Sequence, residues 1–500
     1  MLAPSRIPKR PVAVVIGSGF GGLAAAIRLS VKGYDVQIYE KLDGPGGRAY
    51  VHRQDGFTFD MGPTIITAPF LLRELWNLCG RKFEDDINLV AMEPFYRIRF
   101  DDGSHFDYNG DPVHMRAEVM RFCPDDLPGY EQFLKVCEDC KVLGFEGMGD
   151  QPFDSLGDLM RAIPDFLRMG AWRTIYDQVA RHFRNDKLRI VMSFHSLLIG
   201  GNPFSVTAAY ALVNALERTW GVHSPMGGTG AIVKGLVGLL DGLGVPIHYN
   251  TPVVHIEVQD GRARGIRLAD GQRISADIVV SNGDTAWTYR HLVDAKDRAH
   301  WSNARIERGR YSMGLFVWYF GTNRRYEDVP HHMLVLGPRY RELLEDIFKR
   351  HVLAKDFSLY LHRPTATDHS LAPPGCDTFY ALAPVPHLDS GTDWSAQAEP
   401  MRKAIAQRLS ETVLPGVESH LVTSHMVTPQ TFHDRLWSYK GAGFGQEPLL
   451  LQSAWFRPHN RSEDIEGLYM VGAGTHPGAG VPGVLMSAKA LEKVVPHVHA

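Results

Sequence analysis

The sequence contains few cysteines, and their spacing does not build a disulfide framework. The five are Cys79, Cys123, Cys137, Cys140 and Cys376. Cys137 and Cys140 have C-x-x-C spacing, but the sequence has no second such pair to complete a zinc site. The residues around them, 130–142, are typical of a polar helix. We therefore expect reduced thiols, a reducing compartment and no bound metal ion.

The sequence also has no long hydrophobic run and no excess of charge of one sign. A membrane-spanning helix needs about 18 or more consecutive apolar residues, and no stretch of the sequence provides them. Glycines interrupt the apolar stretch that follows the basic residues 1–10, so this start does not predict a signal peptide. With 53 Lys and Arg against 56 Asp and Glu, the chain has no positive field to hold a nucleic acid.

The most informative segment is a glycine-rich turn in a strand–helix–strand setting. The apolar residues 12–16 predict a buried strand, and the sequence Gly17-Ser18-Gly19-Phe20-Gly21-Gly22 follows it. Residues 23–29 then favour a helix, and a second strand at 36–39 ends at Glu40. This order of elements is one βαβ unit of a dinucleotide-binding fold.

Each glycine of the G-x-G-x-x-G pattern has a physical role in such a unit. Gly17 forms the tight turn, Gly19 lets the backbone approach a pyrophosphate, and Gly22 lets the helix pack closely on the strand. The helix N-terminus offers free N–H groups to the phosphates. Because the Glu40 carboxylate would accept hydrogen bonds from ribose hydroxyls, we predict dinucleotide binding.

Two further glycine segments favour FAD over NAD. Gly46-Gly47-Arg48 would bring bare backbone and a guanidinium fork to a phosphate. The stretch 471–483 runs from a strand through a glycine-rich loop to a helix. A flat flavin ring could press against the backbone of that loop, beside a helix N-terminus. We therefore predict FAD as the cofactor, with a plain glycine-rich turn as the alternative explanation.

These segments resemble those of the flavoprotein amine oxidase and carotenoid desaturase superfamily. The shared motifs are Gly17 to Gly22, Glu40, Gly46-Gly47-Arg48 and Asp60-Met61-Gly62-Pro63-Thr64. Longer runs look like those of bacterial phytoene desaturases, namely 194–203, 357–362, 382–387, 452–460 and 471–483. The resemblance extends from Val12 to about Lys493, and these runs are much more specific than the glycine motif.

The resemblance implies an α/β fold with a discontinuous Rossmann-like FAD-binding domain, an inserted substrate domain with a mixed sheet, and a helical lid or membrane-facing region. The length of 500 residues also exceeds what one hydrophobic core usually supports. We expect the FAD-binding domain at 11–70, 226–290 and 464–497, the substrate-binding domain at 71–114 and 291–463, and the helical domain at 115–225.

The motifs and the resemblance together imply a set of cofactor residues. They are Gly17, Ser18, Gly19, Gly21, Gly22, Glu40, Lys41, Gly47, Arg48, Gly62, Pro63, Thr64, Val254, Gly474, Val481, Pro482 and Gly483. Val254 would meet the adenine through its backbone. Many superfamily members carry an acidic residue near Thr475, so here the ribityl contact must come from backbone or from the Thr475 hydroxyl.

The implied reaction is the desaturation of phytoene, by successive allylic dehydrogenations, to neurosporene or lycopene. A hydride would go to the flavin, and a proton would leave the neighbouring carbon. The acid/base pair proposed for the family falls on Asp158 and Arg161, spaced i, i+3 on one helix face, and a solvated ion pair is the equal alternative. His195 and His476 are further candidates that packing explains as well.

The implied partners are phytoene, a membrane surface, and oxygen or a quinone as electron acceptor. A hydrocarbon of about forty carbons partitions into a bilayer, so the enzyme must reach it there. Residues 156–176 mix large apolar side chains with arginines, which suits an interfacial region, although an ordinary amphipathic helix is the alternative. We expect a cytoplasmic protein that is peripheral at the inner face of the cell membrane.

Rival functions remain open at the level of sequence. A carotene isomerase, a ketolase or a hydroxycarotenoid desaturase is the near rival, because it would share the same motifs. A polyamine or amino-acid oxidase is more distant, since it would need an acidic or aromatic cage for a cation. A non-catalytic prenyl-chain binder on this fold is the rival from a different class, and the retained Glu40 and Arg48 count against it.

Overall fold

The computed structural model describes residues 10–498, so the basic start of the chain, residues 1–9, and residues 499–500 lie outside the described part. The strands are β1 (Val12–Ile16), β2 (Asp35–Tyr39), β3 (Val51–Gln54), β4 (Phe57–Asp60), β5 (Leu89–Ala91), β6 (Tyr96–Arg99), β7 (His105–Tyr108), β8 (His223–Pro225), β9 (Ile247–His248), β10 (Val253–Gln259), β11 (Arg262–Leu268), β12 (Arg273–Ser275), β13 (Ile278–Ser281), β14 (Gly314–Thr322), β15 (His332–Val335), β16 (Leu359–His362), β17 (Asp377–Val385), β18 (Leu421–Val427) and β19 (Leu468–Met470). The α-helices are α1 (Phe20–Val31), α2 (Phe70–Leu78), α3 (Phe83–Asp86), α4 (Pro112–Phe122), α5 (Leu127–Cys140), α6 (Leu156–Arg168), α7 (Ile175–Ala180), α8 (Asp186–Ser193), α9 (Leu212–Trp220), α10 (Thr229–Gly242), α11 (Thr285–Trp287), α12 (Asn303–Arg308), α13 (Tyr340–Glu345), α14 (Trp394–Thr412), α15 (Pro429–Leu436) and α16 (Val481–Val494).

Five parallel strands form the sheet that carries the glycine-rich turn, in the order β19-β13-β1-β2-β9. They come from three distant parts of the chain, as a discontinuous Rossmann-like domain requires. In β1, Ala13 and Val15 pack into one apolar core, whereas Val14 and Ile16 pack into another. Because both faces are covered, β1 is a continuous apolar run and not an alternating one.

Helices α1, α10 and α16 cover one face of this sheet, and the antiparallel sheet β10-β11-β12 covers the other. The sequence predicts one strand over 274–281, but the chain forms two, because β12 pairs with β11 and β13 pairs with β1. The break falls at Ala276 and Asp277. The Asp277 carboxylate accepts a hydrogen bond from the Val12 N–H (2.7 Å), which fixes the point where the chain changes sheets.

A seven-stranded sheet, in the order β18-β14-β17-β16-β15-β6-β7, forms the second part of the molecule. Its neighbouring strands are antiparallel except for β15 and β6, which are parallel, so the sheet is mixed as predicted. Alternate residues of β14 pack into two different cores, with Leu315, Val317 and Tyr319 on one face and Phe316, Trp318 and Phe320 on the other. The second face is covered by α14.

Helices α4 to α9 occupy the range that the sequence predicts to be helical. Helix α5 continues as π-helical turns over Lys141–Glu146. Cys137 and Cys140 are fully buried on its inner face, and both are free thiols. Burial raises the pKa of the Cys140 thiol to about 12, so it is protonated and unreactive. None of the helices within residues 10–498 is long and apolar enough to cross a bilayer.

The α/β fold class is confirmed: a parallel sheet built from distant segments is combined with a separate mixed sheet and a helical region. The domain boundaries stay a prediction. Helix α2 falls in the segment 71–114 that we assign to the substrate domain, yet its Leu72 and Trp76 pack into the core of the parallel sheet. Its packing against α1 and α16 places this helix with the FAD-binding part.

Candidate active site

One large cavity, of about 820 Å³, begins at the glycine-rich turn and runs between the two large sheets to α6. Predicted cofactor residues that line it are Gly17, Gly19, Gly21, Glu40, Lys41, Gly47, Arg48, Gly62, Pro63, Thr64, Gly474, Val481, Pro482 and Gly483. Ser18, Gly22 and Val254 are not among the lining residues. Beyond the glycine-lined end the wall is mainly aliphatic and aromatic, so one cavity joins a polar cradle to an apolar space.

The glycine-rich turn closes as the motif predicts. Gly17 has a φ of +89°, and its N–H donates to the Tyr39 carbonyl at the end of β2 (2.8 Å). A Cβ on Gly22 would lie 2.1 Å from the Gly17 carbonyl oxygen. Only glycine therefore lets α1 begin this close to β1, and Gly22 acts through packing without reaching the cavity.

Bare backbone surrounds the start of α1. A Cβ on Gly21 would lie 2.6 Å from Asn282 Oδ1 and 3.0 Å from Gly472 Cα, and a Cβ on Gly19 would lie 2.9 Å from Asn282 Nδ2. A helix N-terminus within such a cradle fits a pyrophosphate. Sequence analysis missed Asn282. The available signal is its place directly after the buried strand β13, at the carboxyl edge of a parallel sheet.

Glu40 follows β2, and its buried carboxylate accepts hydrogen bonds from three donors. One oxygen accepts from the N–H and the hydroxyl of Ser18 (2.8 and 2.7 Å), and the other accepts from the Leu42 N–H (2.9 Å). These donors hold the carboxylate at the cavity wall, where a ribose-binding acid belongs. Ser18 thus supports Glu40 and does not line the cavity itself.

Arg48 brings a guanidinium to the same end of the cavity. One of its terminal nitrogens donates to the Ser438 hydroxyl (3.0 Å), while its buried Nε has no hydrogen-bond partner among the residues that the structure describes. Burial raises the pKa of Asp284 above its usual range, although the Trp287 N–H and the charge of Arg48 oppose this shift. A buried donor without a partner, beside a glycine cradle, fits an anionic group, so these residues fit a bound dinucleotide.

The segment 60–64 is fixed at Asp60 and at Gly62. The Asp60 carboxylate accepts hydrogen bonds from the N–H groups of Thr229 and Gly230 (2.8 and 3.2 Å) at the start of α10. A Cβ on Gly62 would lie 1.9 Å from the Arg48 carbonyl oxygen, so this contact requires glycine. The resemblance identified this motif, and the contacts give the physical reason for its acid and its glycine.

The C-terminal glycine loop rests on the buried side chain of Arg457. The Arg457 guanidinium donates to the Gln446 carbonyl (3.1 Å), and a Cβ on Gly478 would lie 2.1 Å from one of its nitrogens. The Thr475 hydroxyl donates to the Pro458 carbonyl (2.6 Å). Thr475 is fully buried and is not among the residues that line the cavity, so its hydroxyl holds the loop, and the source of the ribityl contact stays a prediction.

His476 lies in the same loop with its ring buried. Its Nε2–H donates to the Met148 carbonyl (2.9 Å), and the Phe153 ring packs edge-on against it with the ring centres 4.9 Å apart. Burial lowers the pKa of His476 to about 4, so the ring is neutral at physiological pH. These contacts are those of a side chain that anchors the loop to the helical region.

Acid should destabilise this anchor. The pKa of His476 falls from 6.5 to about 4 on folding, so its contribution is complete above pH 6.5 and is lost as the pH falls toward 4. Between pH 7.5 and pH 5 we expect His476 to account for about 2 kcal/mol of lost unfolding free energy. His476→Gln keeps a donor for the Met148 carbonyl. Between pH 7.5 and pH 5 its unfolding free energy, measured by denaturant titration, should fall by about 2 kcal/mol less than that of the wild type. An equal loss contradicts this assignment.

The predicted acid/base pair lies on the outer side of α6, and neither residue lines the cavity. Asp158 closes a capping box with Ser155, whose N–H and hydroxyl donate to the Asp158 carboxylate (2.9 and 2.8 Å). The Arg161 side chain is 79% exposed and donates to the same carboxylate. Burial alone would raise the pKa of Asp158, but the hydrogen bonds from Ser155 and Arg161 outweigh it and lower the pKa. These are the contacts of a surface ion pair, and a catalytic role stays a prediction.

Val254 and Lys41, two further predicted cofactor residues, lie outside the glycine-rich segments. Val253 lines the cavity, whereas the side chain of Val254 is 40% exposed, and its backbone contact with adenine stays a prediction. The Lys41 ammonium lies 3.9 Å from the centre of the Trp437 ring. Burial lowers the pKa of Lys41 to about 8.

Sequence analysis missed a buried polar group in the apolar half of the cavity. Glu217, on α9, lines the cavity, and its carboxylate lies 3.1 Å from His195 Nε2 and accepts a hydrogen bond from the Tyr96 hydroxyl (2.6 Å). Burial and the neighbouring Glu217 carboxylate raise the pKa of Tyr96 far above its usual value. His195 itself does not line the cavity. A charged residue on the apolar face of a helix is the signal that could have drawn attention to Glu217.

The comparison with known families agrees with this geometry. Residues 20–490 match the model of flavin containing amine oxidoreductases. The chain belongs to this family. The match confirms the predicted oxidoreductase class and the flavin cofactor, and the dinucleotide cradle described above fits FAD. Which residue meets which part of FAD remains our prediction.

Curated members of the family align with nearly the whole chain. A phytoene desaturase (neurosporene-forming) of Cereibacter sphaeroides is 48% identical over 489 residues, which are 97% of this chain and 94% of that protein. A phytoene desaturase (lycopene-forming) of Pseudescherichia vulneris is 48% identical over 478 residues, which are 95% of this chain and 97% of that protein. Among solved structures, putrescine oxidase bound to putrescine is similar with a TM-score of 0.65, 13% identity and coverage of 97% and 98% of the two chains, which shows the shared fold.

Proposed function

We propose that this chain is an FAD-dependent carotenoid desaturase that introduces conjugated double bonds into phytoene. The observation that carries the proposal is one continuous cavity with a dinucleotide cradle at one end and apolar walls at the other. The relatives with 48% identity are named phytoene desaturases, which supports phytoene as the substrate. The wall includes Tyr319, Tyr360 and Tyr380 beside its aliphatic residues, so these relatives, and not the wall, disfavour the amine-oxidase rival.

The apolar half of the cavity is suited to a hydrocarbon chain. Its wall includes Leu197, Leu198, Ile199, Leu212, Val213, Leu216, Leu315, Val317, Leu334, Leu336, Leu343 and Leu344. Burial of each CH₂ group is worth about 0.8 kcal/mol, so apolar contact alone can hold a long chain. The same walls keep water away from the reacting carbons.

Helix α6 connects this cavity to the surface. Its Leu159, Ile163 and Phe166 line the cavity, whereas Leu156 and Met160 are 62% and 60% exposed. Large apolar side chains exposed beside a hydrophobic cavity fit a bilayer surface. We therefore propose that the protein is peripheral at the inner, cytoplasmic face of the membrane and draws phytoene from it through this region.

The proposed chemistry divides between cofactor and chain. Bound FAD supplies the acceptor for the hydride that leaves the allylic carbon. The glycine-rich loops at 17–22 and 472–480 let the cofactor rest on backbone, and the apolar walls hold the hydrocarbon in place beside it. The proton from the neighbouring carbon must leave the apolar space, and Thr64 offers a hydroxyl group in the wall of the cavity.

Two features of the reaction extend this proposal. The electrons would pass from the cofactor to oxygen or a membrane quinone. Neurosporene and lycopene are both proposed products, because relatives of either type are 48% identical to this chain. Expression in a phytoene-making host, followed by chromatography of the pigments, decides the number of steps and separates desaturation from isomerisation or ketolation.

The direct test is reduction of the cofactor by the substrate. When holoprotein is mixed anaerobically with liposomes that contain phytoene, the flavin absorption should bleach, and readmission of air or quinone should restore it. Liposomes of the same lipids without phytoene are the matched control, because they offer the membrane surface but no allylic carbon–carbon bond of the substrate. Holoprotein that keeps its oxidised spectrum with phytoene contradicts the proposed function.

A further inference from the structure

The wall of the cavity carries polar rings that the proposed reaction has not yet used. His332, His362 and Tyr380 lie side by side on β15, β16 and β17, because the register pairs His332 with His362 and His362 with Tyr380. Tyr360 precedes His362 by two residues and shares its face. The period of two in these strands therefore places Tyr360 and Tyr380 in a largely apolar wall and the imidazoles of His332 and His362 next to them, outside the lining.

A line of hydrogen bonds starts at the cavity. The Thr64 hydroxyl lies 3.1 Å from the Tyr360 hydroxyl, and both residues line the cavity. The Tyr360 hydroxyl lies 2.7 Å from His332 Nδ1. Thr64 also lies 2.8 Å from the Tyr380 hydroxyl, but Tyr380 makes no hydrogen bond to any of the described histidines. Tyr360 is thus the link between the cavity and the buried imidazoles.

A second line of hydrogen bonds runs from His362 to the surface, and within the described residues no direct hydrogen bond joins it to His332. His362 Nε2 lies 3.0 Å from His331 Nε2, and His331 Nδ1 lies 2.6 Å from the Thr367 hydroxyl. Thr367 is partly exposed to solvent. His332 Nε2 is buried and has no hydrogen-bond partner in the described part of the chain. One nitrogen from each of the three rings lies within 4.8 Å of the other two, a span that a single water can bridge.

We infer that these groups form the exit route for the proton that leaves the substrate in each desaturation step. The inference rests on the proposed desaturation, which removes one hydride and one proton from the hydrocarbon. FAD accepts the hydride. The proton enters at the Thr64 hydroxyl as that group passes its own proton to Tyr360, and Tyr360 passes its proton to His332 Nδ1. Because His332 Nε2 makes no hydrogen bond within the described part of the chain, its proton crosses to the His331–His362 pair through a bridging water, and one proton leaves from Thr367 to solvent. Each imidazole that has passed a proton is then the other neutral tautomer, and reorientation of the ring restores the starting state before the next step.

The state of the three imidazoles suits a relay. Burial lowers the pKa of His331 to about 3 and holds the pKa values of His332 and His362 well below the usual range, so all three rings are neutral. A neutral imidazole has one donor nitrogen and one acceptor nitrogen, which is what the transfer of a proton through the ring requires. Because the charged form is disfavoured, a proton passes through the cluster and does not stay there.

The same three histidines could in principle hold a metal ion, and two observations oppose this. Zinc–nitrogen bonds of about 2.1 Å would set two tetrahedral ligand atoms about 3.4 Å apart. His331 and His362 are closer than this, at a hydrogen-bond distance of 3.0 Å. The buried Arg363 guanidinium, which pairs with Asp377 (2.9 Å), lowers the pKa of His331 further and would also repel a cation.

The first test uses a matched pair of tyrosine variants in the flavin-loaded protein. Tyr360→Phe keeps the ring but removes the hydroxyl that joins Thr64 to His332. We expect a solvent deuterium isotope effect on flavin reduction in the wild type. Tyr360→Phe should slow anaerobic reduction of the flavin by phytoene at least about tenfold and abolish this isotope effect. Tyr380→Phe also removes a hydroxyl partner of Thr64 but should keep the isotope effect. Thr367→Val, at the outlet, should behave like Tyr360→Phe.

A second measurement does not depend on turnover. In protein labelled with ¹⁵N-histidine, His332 should be the neutral tautomer with its proton on Nε2, because Nδ1 accepts from Tyr360. Tyr360→Phe should shift this tautomer equilibrium, whereas Tyr380→Phe should leave it unchanged. Metal analysis should find the same zinc content in the purified wild type and in His362→Gln.

The outcomes separate the relay from the function on which it rests. If wild-type flavin is not reduced by phytoene, the proposed desaturation fails, and the relay fails with it. If the wild type is reduced and Tyr360→Phe keeps the same rate and isotope effect, the relay alone is overturned. One equivalent of zinc bound through His331, His332 and His362 would overturn it as well.

Discussion

Glu40→Gln is expected to weaken FAD binding by about 100- to 10,000-fold, because hydrogen bonds to a charged group contribute about 1.5–3 kcal/mol each. The two oxygens of Glu40 accept from Ser18 and Leu42 in the structure, and Glu40 lines the cavity where we predict that the ribose binds. In Gln, the amide N–H group must face the N–H of either Ser18 or Leu42. The substitution therefore removes the charge and also brings two hydrogen-bond donors face to face. Fluorescence quenching during titration of the apoprotein with FAD measures the change.

Asp43→Asn is the matched control for this experiment. Asp43 is a nearby carboxylate that is exposed, does not line the cavity and makes a 3.2 Å hydrogen bond with the Tyr50 hydroxyl. Its neutralisation should leave the FAD dissociation constant within about twofold of the wild type, because a screened surface charge contributes little. If Glu40→Gln binds FAD as tightly as Asp43→Asn does, Glu40 has only a structural role.

The second large effect concerns the membrane. Leu156→Ser combined with Met160→Ser should weaken binding to phospholipid vesicles by about 100-fold, since burial of each side chain is worth about 1.5 kcal/mol or more. Both residues lie on one exposed face of α6, and neither lines the cavity. Binding to substrate and cofactor should therefore remain intact. Sedimentation with vesicles measures binding, and flavin reduction by phytoene in detergent micelles reports the intact active site.

The control for the α6 variant replaces exposed apolar residues elsewhere on the surface. Val113, Val352 and Val422 are 72%, 52% and 48% exposed and do not line the cavity. Their replacement by serine should leave vesicle binding unchanged. Equal loss in both variants would mean that general surface hydrophobicity drives binding, and unchanged binding of the α6 variant would remove α6 from the membrane contact.

The cofactor half of the site was largely predictable because its constraints are local. Gly17, Gly22 and Glu40 act within one βαβ unit, where a short loop and close backbone contacts admit few residue types. The continuous apolar run of β1 likewise follows from burial of both faces of a parallel sheet. The strand predicted over 274–281 was only partly correct, because its break at Asp277 depends on a hydrogen bond to the distant Val12.

The apolar half of the site was much less predictable. Asp158 and Arg161 have the spacing of a functional pair. In the structure, however, the Asp158 carboxylate is part of the capping box of α6, and the Arg161 side chain is exposed to solvent. Glu217 lies outside every motif, and the run 357–362 that contains Tyr360 gives no role to that residue. Both face the cavity because α9 and β16 turn those faces inward. Their roles follow from neighbours that lie far away in the sequence.

The sequence by itself determined the dinucleotide cradle, the flavin and the family, because backbone geometry at a glycine-rich turn restricts residue choice over a short span. Only the tertiary structure decided that this cradle opens into an apolar cavity, that α6 exposes its outer side chains, and that Thr64 connects through Tyr360 to His332 in a cluster of three buried histidines. The physical reason is that hydrogen bonds and apolar contacts depend on distance in space, and strand register brings together residues that no sequence window contains.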